Sequence, residues 1–294
     1  MQPKMYVQKK LFSLHIMALF ITSLNSGSNG NCYYIGNDTE AVIIDAGISC
    51  RETEKRMKLL GLSMHTVKAI FISHEHTDHI KGVESIAEKY SLPVFVTAAT
   101  AQRGRLHFKK KLINYFVAGE PVNIGNLAVT AFSKLHDAID PHSFIITGSD
   151  VTVGVFTDIG AACENVIKHF SQCHAAFLET NYDEEMLDKG SYPIFLKNRI
   201  RGGEGHLSNR QALEIFITHR PPFMTHLLLA HLSRDNNDPQ MVHQLFCSHA
   251  EGVEIIVASR YVQTSLHLIG PTAQSIIEKS IPIQLIKTGQ LSLF

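Results

Sequence analysis

Charge of neither sign is in excess: 27 Lys and Arg stand against 27 Asp and Glu, giving a formal net charge of zero. The molecule as a whole is therefore no electrostatic magnet for nucleic acid, and any such binding has to come from local patches. Cysteine is sparse. Cys32, Cys50, Cys163, Cys173 and Cys247 are odd in number and lack C-x-x-C spacing, which argues against a disulfide framework and for reduced thiols in the cytoplasm. Low-complexity stretches and internal repeats are missing, and no platform of interleaved aromatics stands out for base stacking. The run from Leu11 to Leu24 after Lys9-Lys10 has the outline of a weak signal sequence, but His15 interrupts it and no small-x-small cleavage site follows. Ala18 to Thr22 reads instead as a first strand. Residues 1–16 are then an N-terminal extension, with Met17 as a candidate start and no membrane segment.

What is present is hydrophobic. Apolar residues make up 45% of 294 positions, enough for a sizeable buried core. Periodicity predicts strands at 18–24, 32–36, 41–45, 67–73, 93–96, 121–133, 143–147, 151–156, 174–178, 225–230 and 254–258. It predicts helices at 49–60, 79–90, 98–106, 161–171, 183–198, 208–218, 238–249 and 271–279. Strand and helix alternate, and runs such as Ala41-Val42-Ile43-Ile44 have the character of strands covered on both faces.

The densest chemistry lies in His74-Glu75-His76-Thr77-Asp78-His79, where four of six residues, His74, His76, Asp78 and His79, are candidate metal ligands. An apolar run, Val67 to Ser73, precedes it and an amphipathic stretch follows. The ligands thus sit on a strand-to-helix turn at a sheet edge. His74 and His76 alternate along the strand end and face one side, whereas Asp78 and His79 open the helix and point to an adjacent position. One loop can so serve two metals a few Å apart. A metal-free surface cluster is the alternative, and the flanking strand and helix speak against it.

The stretch resembles the H-x-H-x-D-H motif of the metallo-β-lactamase superfamily. That resemblance implies a four-layer αββα sandwich, with one domain over residues 17–288 and a tail at 289–294. It also implies further ligands at strand ends, and these are found at His136, Asp158 and His231. By resemblance one metal takes His74, His76 and His136, a second takes Asp78, His79 and His231, and Asp158 bridges them. Nitrogen and carboxylate donors suit two divalent ions, Zn²⁺ first and Mn²⁺ second. The stretch from Asp158 to His206 is too short for the extra domain of β-CASP nucleases. A narrower resemblance rests on Ser26 to Asn31, His136-Asp137-Ala138 with Asp140-Pro141, Leu178-Glu179-Thr180-Asn181, Gly205 to Asn209, and Ala230 to Ser233 with Asn236-Asn237. Together these look like the YycJ/VicX (WalJ) subgroup. The subgroup implies a nuclease, with 5′→3′ DNA exonuclease activity and a mismatch-repair link proposed for it, and DNA rather than RNA as partner. One position departs: Tyr182 stands where the subgroup usually has His.

The chemistry so implied is in-line attack on a phosphodiester by a metal-bridging hydroxide, with Asp78, His206 and Glu179 as catalytic residues. His206 is the candidate proton donor and Glu179 its orienting partner, by resemblance to RNase Z-type enzymes. His206 could instead be a loop residue beside the helix cap Ser208, and Glu179 an ordinary sheet-end carboxylate. Asp45 is placed to accept a hydrogen bond from a ligating His, or to shape a turn. The Ser26–Asn31 loop is an anion-binding nest or a plain hairpin turn. His142 is a surface histidine or a substrate contact. Arg103, Arg105, Lys109, Lys110 and Lys111, and Lys197, Arg199 and Arg201, are phosphate contacts or solvated faces. Gln290, Leu291, Leu293 and Phe294 resemble the short peptide that binds bacterial sliding clamps. Two other functions stay open: hydrolysis of a small phosphodiester, thioester or lactone, and a non-catalytic regulatory protein that uses the fold to bind metal.

Overall fold

Two seven-stranded sheets lie face to face in the computed structural model, which describes residues 18–108 and 111–270. Lys109, Lys110, residues 1–17, the predicted helix at 271–279 and the clamp-like motif lie outside the described residues. The first sheet contains β1 (Leu19–Asn25), β2 (Cys32–Gly36), β3 (Ala41–Ile44), β4 (Val67–Phe71), β5 (Val94–Val96), β6 (Ile113–Tyr115) and β14 (His267–Ile269). Its order is β14-β1-β2-β3-β4-β5-β6. The second contains β7 (Pro121–Ile124), β8 (Leu127–Ser133), β9 (His142–Gly148), β10 (Val151–Phe156), β11 (Ala175–Glu179), β12 (His226–Ala230) and β13 (Glu254–Val257), in the reverse numerical order from β13 to β7. Both are mixed. Pairing is antiparallel from β14 through β3 and from β7 through β10, and parallel from β3 to β6 and from β10 to β13.

Three apolar clusters make the layers. Leu19, Tyr33, Phe71, Phe144, Phe177 and Leu228 fill the space between the sheets. Met57, Ile70, Ile86 and Val94 seat helices on the outer face of the first sheet, while Phe156, Phe170, Phe216 and Phe246 do so on the second. Every residue of β3 and β11 is buried, as strands covered on both faces require. The αββα sandwich implied by the motif is thus the fold.

Elements differ from the periodicity at five places. The run 121–133 is a hairpin, because Gly125 at φ 59° opens a two-residue turn between β7 and β8. The helix read at 79–90 breaks into Thr77–Ile80 and Val83–Tyr90. There the Gly82 amide turns away to the Ala46 carbonyl, at 2.7 Å. The helix read at 183–198 splits into Glu184–Lys189 and Ile194–Arg201 across Pro193, whose ring removes the N–H needed to continue. Short edge strands β6 and β14 carry too few residues for periodicity to register.

Topology places the chemistry. Strands β1, β3 and β4 run one way in the first sheet, β8, β10, β11 and β12 run one way in the second, and the residues beyond their C-terminal ends meet at one edge of the sandwich. Asp45, His74, His136, Asp158, Glu179 and His231 lie at or just beyond those ends.

Candidate metal centre

Each member of this edge is fixed by the strand that ends beneath it. Beyond β4, His74 is fully buried and its Nε2 lies 3.0 Å from Nδ1 of His76, the residue that precedes the short helix Thr77–Ile80. His136 Nε2 approaches the same nitrogen at 3.4 Å. These three nitrogens converge tightly enough to hold one ion. Asp78, His79 and His231 form a second group. Asp78 Oδ2 is 3.5 Å from His79 Nε2 and 3.6 Å from His231 Nε2. Asp158 stands between the groups, 3.1 Å from His79 Nε2, 3.6 Å from His231 Nε2 and 3.8 Å from His136 Nε2. A tight backbone approach makes this possible: a Cβ at Gly47 would sit 1.7 Å from the Asp78 carbonyl oxygen.

The ring orientations are set from behind. Nδ1–H of His79 donates to Asp45 at 2.7 Å, that of His136 to the Gly205 carbonyl at 3.1 Å, and that of His231 to Glu179 at 2.9 Å. Each such bond fixes the ring's orientation and turns Nε2 inward. Asp45 also accepts from the Ser73 amide and hydroxyl, both at 2.8 Å. Asp45, Asp158 and His231 all adopt left-handed backbone, at φ 59°, 54° and 57°. Non-glycine residues hold that conformation only where surroundings impose it.

The donor set fits divalent cations on two counts. First, Asp158 Oδ2 and His231 Nε2 are buried, face the cluster and have no hydrogen-bond partner among the described residues. Second, the cluster draws positive charge. Burial by itself would raise Asp158 and Glu179. Yet His231 and His79 hold Asp158 well below the usual carboxylate range, and His206 and His231 bring Glu179 down to about 2. Burial opposes charge on His231, but Asp158, Asp78 and Glu179 push it up to about 10. Burial drives His74 well down and His136 to about 4, so both stay neutral, the form in which imidazole ligates.

Glu179 does more than its place at a strand end implied. Oε1 accepts from His206 Nδ1 at 2.8 Å as well as from His231, and Oε2 accepts the Ile159 amide at 2.7 Å and the Leu207 amide at 3.3 Å. One carboxylate therefore positions both a histidine of the cluster and His206, which stands on the rim. Ser208 forms a capping box with Gln211 on the helix Asn209–His219. Capping belongs to Ser208, and His206 faces the cavity. That cavity measures about 430 Å³ and includes His76, Asp78, His136, Asp158, His206 and His231, with Tyr192 and Arg199 on its wall.

Two contacts are not foreseen from the sequence. Asn31, fully buried, points Nδ2 at Asp78 Oδ2 (3.1 Å) and His79 Nε2 (3.0 Å), while Oδ1 accepts from the Gly27 amide and Tyr33 hydroxyl. Lys134 is buried behind the site, donating to the Thr157 carbonyl at 2.6 Å, and burial lowers its pKa. The signal available for either was only proximity to a motif.

Other candidates fall elsewhere. His142 is neither a surface group nor a cavity residue; it is buried in β9, its ring edge-on to Phe116. Lys197 is buried with its ammonium on the Asp188 carbonyl, and Arg201 pairs with Asp188 at 2.6 Å. Of that basic run, Arg199 alone reaches the cavity, held by Asp137 at 2.5 Å. The Ser26–Asn31 loop is a turn between β1 and β2 that sends Ser28 and Asn31 toward the site.

A family model described as a beta-lactamase superfamily domain matches residues 40–231, which span the whole cluster. The chain belongs to the metallo-β-lactamase superfamily. Within the superfamily it is 34% identical over 226 residues to "Exodeoxyribonuclease YycJ" of Bacillus anthracis, covering 75% of this chain and 85% of that one. It is 30% identical to "Exodeoxyribonuclease WalJ" of Streptococcus pneumoniae serotype 2, covering 75% and 84%. Among solved structures, the metallo-β-lactamase fold protein YhfI of Bacillus subtilis superposes with TM-score 0.65 at 16% identity, covering 84% of this chain and 99% of that one. A diphosphatase of the PhnP family gives 0.62 at 15%, covering 86% and 99%. Superfamily membership makes the chain a metal-dependent hydrolase that uses divalent ions. Among the described residues no helix is long and apolar enough to cross a membrane.

Proposed function

We propose that this protein is a dinuclear metal-dependent DNA exonuclease working 5′→3′ in DNA repair in the cytoplasm. The observation that carries the reading is Glu179 holding His206 on the rim of a cavity whose floor offers two groups of ligand atoms joined through Asp158. The printed activity of the YycJ and WalJ relatives supports DNA as substrate. The free cysteines support a reducing compartment.

His74, His76 and His136 would hold one ion, Asp78, His79 and His231 the other, with Asp158 shared. Two divalent ions, Zn²⁺ or Mn²⁺, would supply there the Lewis-acid charge that hydrolysis of a phosphodiester needs. The chain's own groups do the rest. Asp158 and Asp78 fix the spacing between the groups. His206, with Nδ1–H on Glu179, aims Nε2 at the departing oxygen and delivers its proton. Arg199 on the wall steadies a flanking phosphate oxygen. The buried Lys134 offsets part of the carboxylate charge beneath the site.

The deciding assay incubates end-labelled single- and double-stranded DNA and RNA with enzyme loaded with Zn²⁺ or Mn²⁺. We expect mononucleotides released from 5′ ends of DNA. Turnover of a small thioester or lactone with nucleic acid left intact would replace this reading by the small-substrate one. Residues 290–294 are proposed to deliver the enzyme to a sliding clamp, with Leu293 and Phe294 filling an apolar pocket and Gln290 bonding its rim. Deleting them should abolish clamp binding and leave activity in free solution intact. Unchanged clamp affinity removes that partner.

A further inference from the structure

A second cavity, of about 380 Å³, adjoins the metal cavity; the two share Ser233. Arg234, Arg260 and Tyr261 line it. The two arginines differ. Arg234 is engaged by Asp235 at 3.0 Å, and Asp235 also takes the Tyr192 hydroxyl. Arg260 Nη1 is buried with no partner among the described residues. Beside it Tyr261 is 70% exposed, an unusual state for so large a ring.

The segment that presents these two side chains is rigidly held. The Ser259, Arg260 and Tyr261 carbonyls accept in turn from the Ser26 amide (3.2 Å), Asn29 Nδ2 (3.0 Å) and Arg56 Nη2 (2.9 Å). Ser259 Oγ accepts the Tyr261 amide at 3.0 Å. Ser26 also anchors the metal side, its hydroxyl taking the His231 amide at 2.7 Å. The second cavity is therefore set at a fixed offset from the cluster. A guanidinium with one nitrogen unpartnered and an exposed ring, on the wall of one cavity, match the two repeating groups of a single strand, a phosphate and a base face.

We infer that this cavity is the adjoining-nucleotide subsite, where Arg260 takes the phosphate next to the scissile one and Tyr261 stacks the neighbouring base. The inference rests on the nuclease reading. It assigns strand recognition to side chains outside the metal cluster and its cavity.

The test uses metal-loaded full-length enzyme, a labelled single-stranded DNA oligonucleotide, and bis(p-nitrophenyl) phosphate, a diester too small to span both cavities. Arg260→Ala and Tyr261→Ala should each raise KM for the oligonucleotide by roughly five- to a hundredfold more than for the small diester. Tyr261→Phe, which keeps the stacking face, should restore most of the loss. Arg260→Ala should also reduce the salt dependence of log KM by about 0.7, one phosphate's share on a single strand, and Tyr261→Ala should not. Equal effects on both substrates, or none, overturn the subsite while leaving the nuclease reading in place. A wild-type enzyme inert on the oligonucleotide overturns both.

Discussion

Asp45 offers the cleanest separation of charge from shape at this site. It accepts from His79 Nδ1, the Ser73 amide and the Ser73 hydroxyl, and its backbone is left-handed. Asn tolerates that conformation and is nearly the same size, so Asp45→Asn removes the carboxylate with little backbone cost. Metal affinity should fall ten- to a hundredfold, read by competition with a chromophoric chelator, while circular dichroism stays unchanged. Affinity equal to wild type would return Asp45 to a turn role. The Glu179 and His206 pair divides differently. His206→Ala should keep bound metal and lose about 10²- to 10⁴-fold in turnover. Glu179→Gln should lose both, because the same oxygen holds His231 and His206. Metal content by mass spectrometry beside kcat decides it, and full metal content in Glu179→Gln would contradict the shared role.

At the scale of elements, the helix Asn209–His219 begins two residues after Leu207, whose amide rests on Glu179. Ser208 caps it and also bonds Glu184 at 3.0 Å. Ser208→Ala should cost about 1 kcal/mol, a fall of roughly 2–4 °C in Tm by calorimetry. Turnover should hold, since His206 is tied separately through its amide to the Ile200 carbonyl. Legibility in the sequence follows from the same distinction between local and distant causes. The candidate ligands that converge at one edge were legible because they follow the ends of apolar strands and four crowd into one turn. The breaks at Gly82 and Pro193 were harder. Helical periodicity runs across Gly82, and only the Ala46 carbonyl, supplied by a distant loop, diverts its amide. Pro193 was visible, but a longer amphipathic run masked it. Asn31 and Lys134 are ordinary polar residues in sequence. Their positions against Asp78 and Thr157 arise when separate strand ends meet at one edge.

For the molecule as a whole, the cluster is a stability problem that a ligand resolves. Asp45, Asp78, Asp158 and Glu179 gather at one edge with His74 and His136 held neutral, and Lys134 is the lysine buried among them. Buried carboxylates without counter-charge cost several kcal/mol each. Protons on His79 and His231, whose pKa values the carboxylates raise, offset part of that cost, and divalent ions would offset it more fully. Chelation should therefore lower Tm, and Zn²⁺ or Mn²⁺ at a hundredfold excess over its Kd should restore about 2.7 kcal/mol. That corresponds to roughly 5–10 °C in a chain of this size. Asp158→Asn keeps the left-handed backbone accessible but halves the bridge, so it should flatten this response along with activity. A Tm indifferent to metal, in wild type, would mean that the histidines and carboxylates satisfy one another. That result would overturn the metal-dependent nuclease.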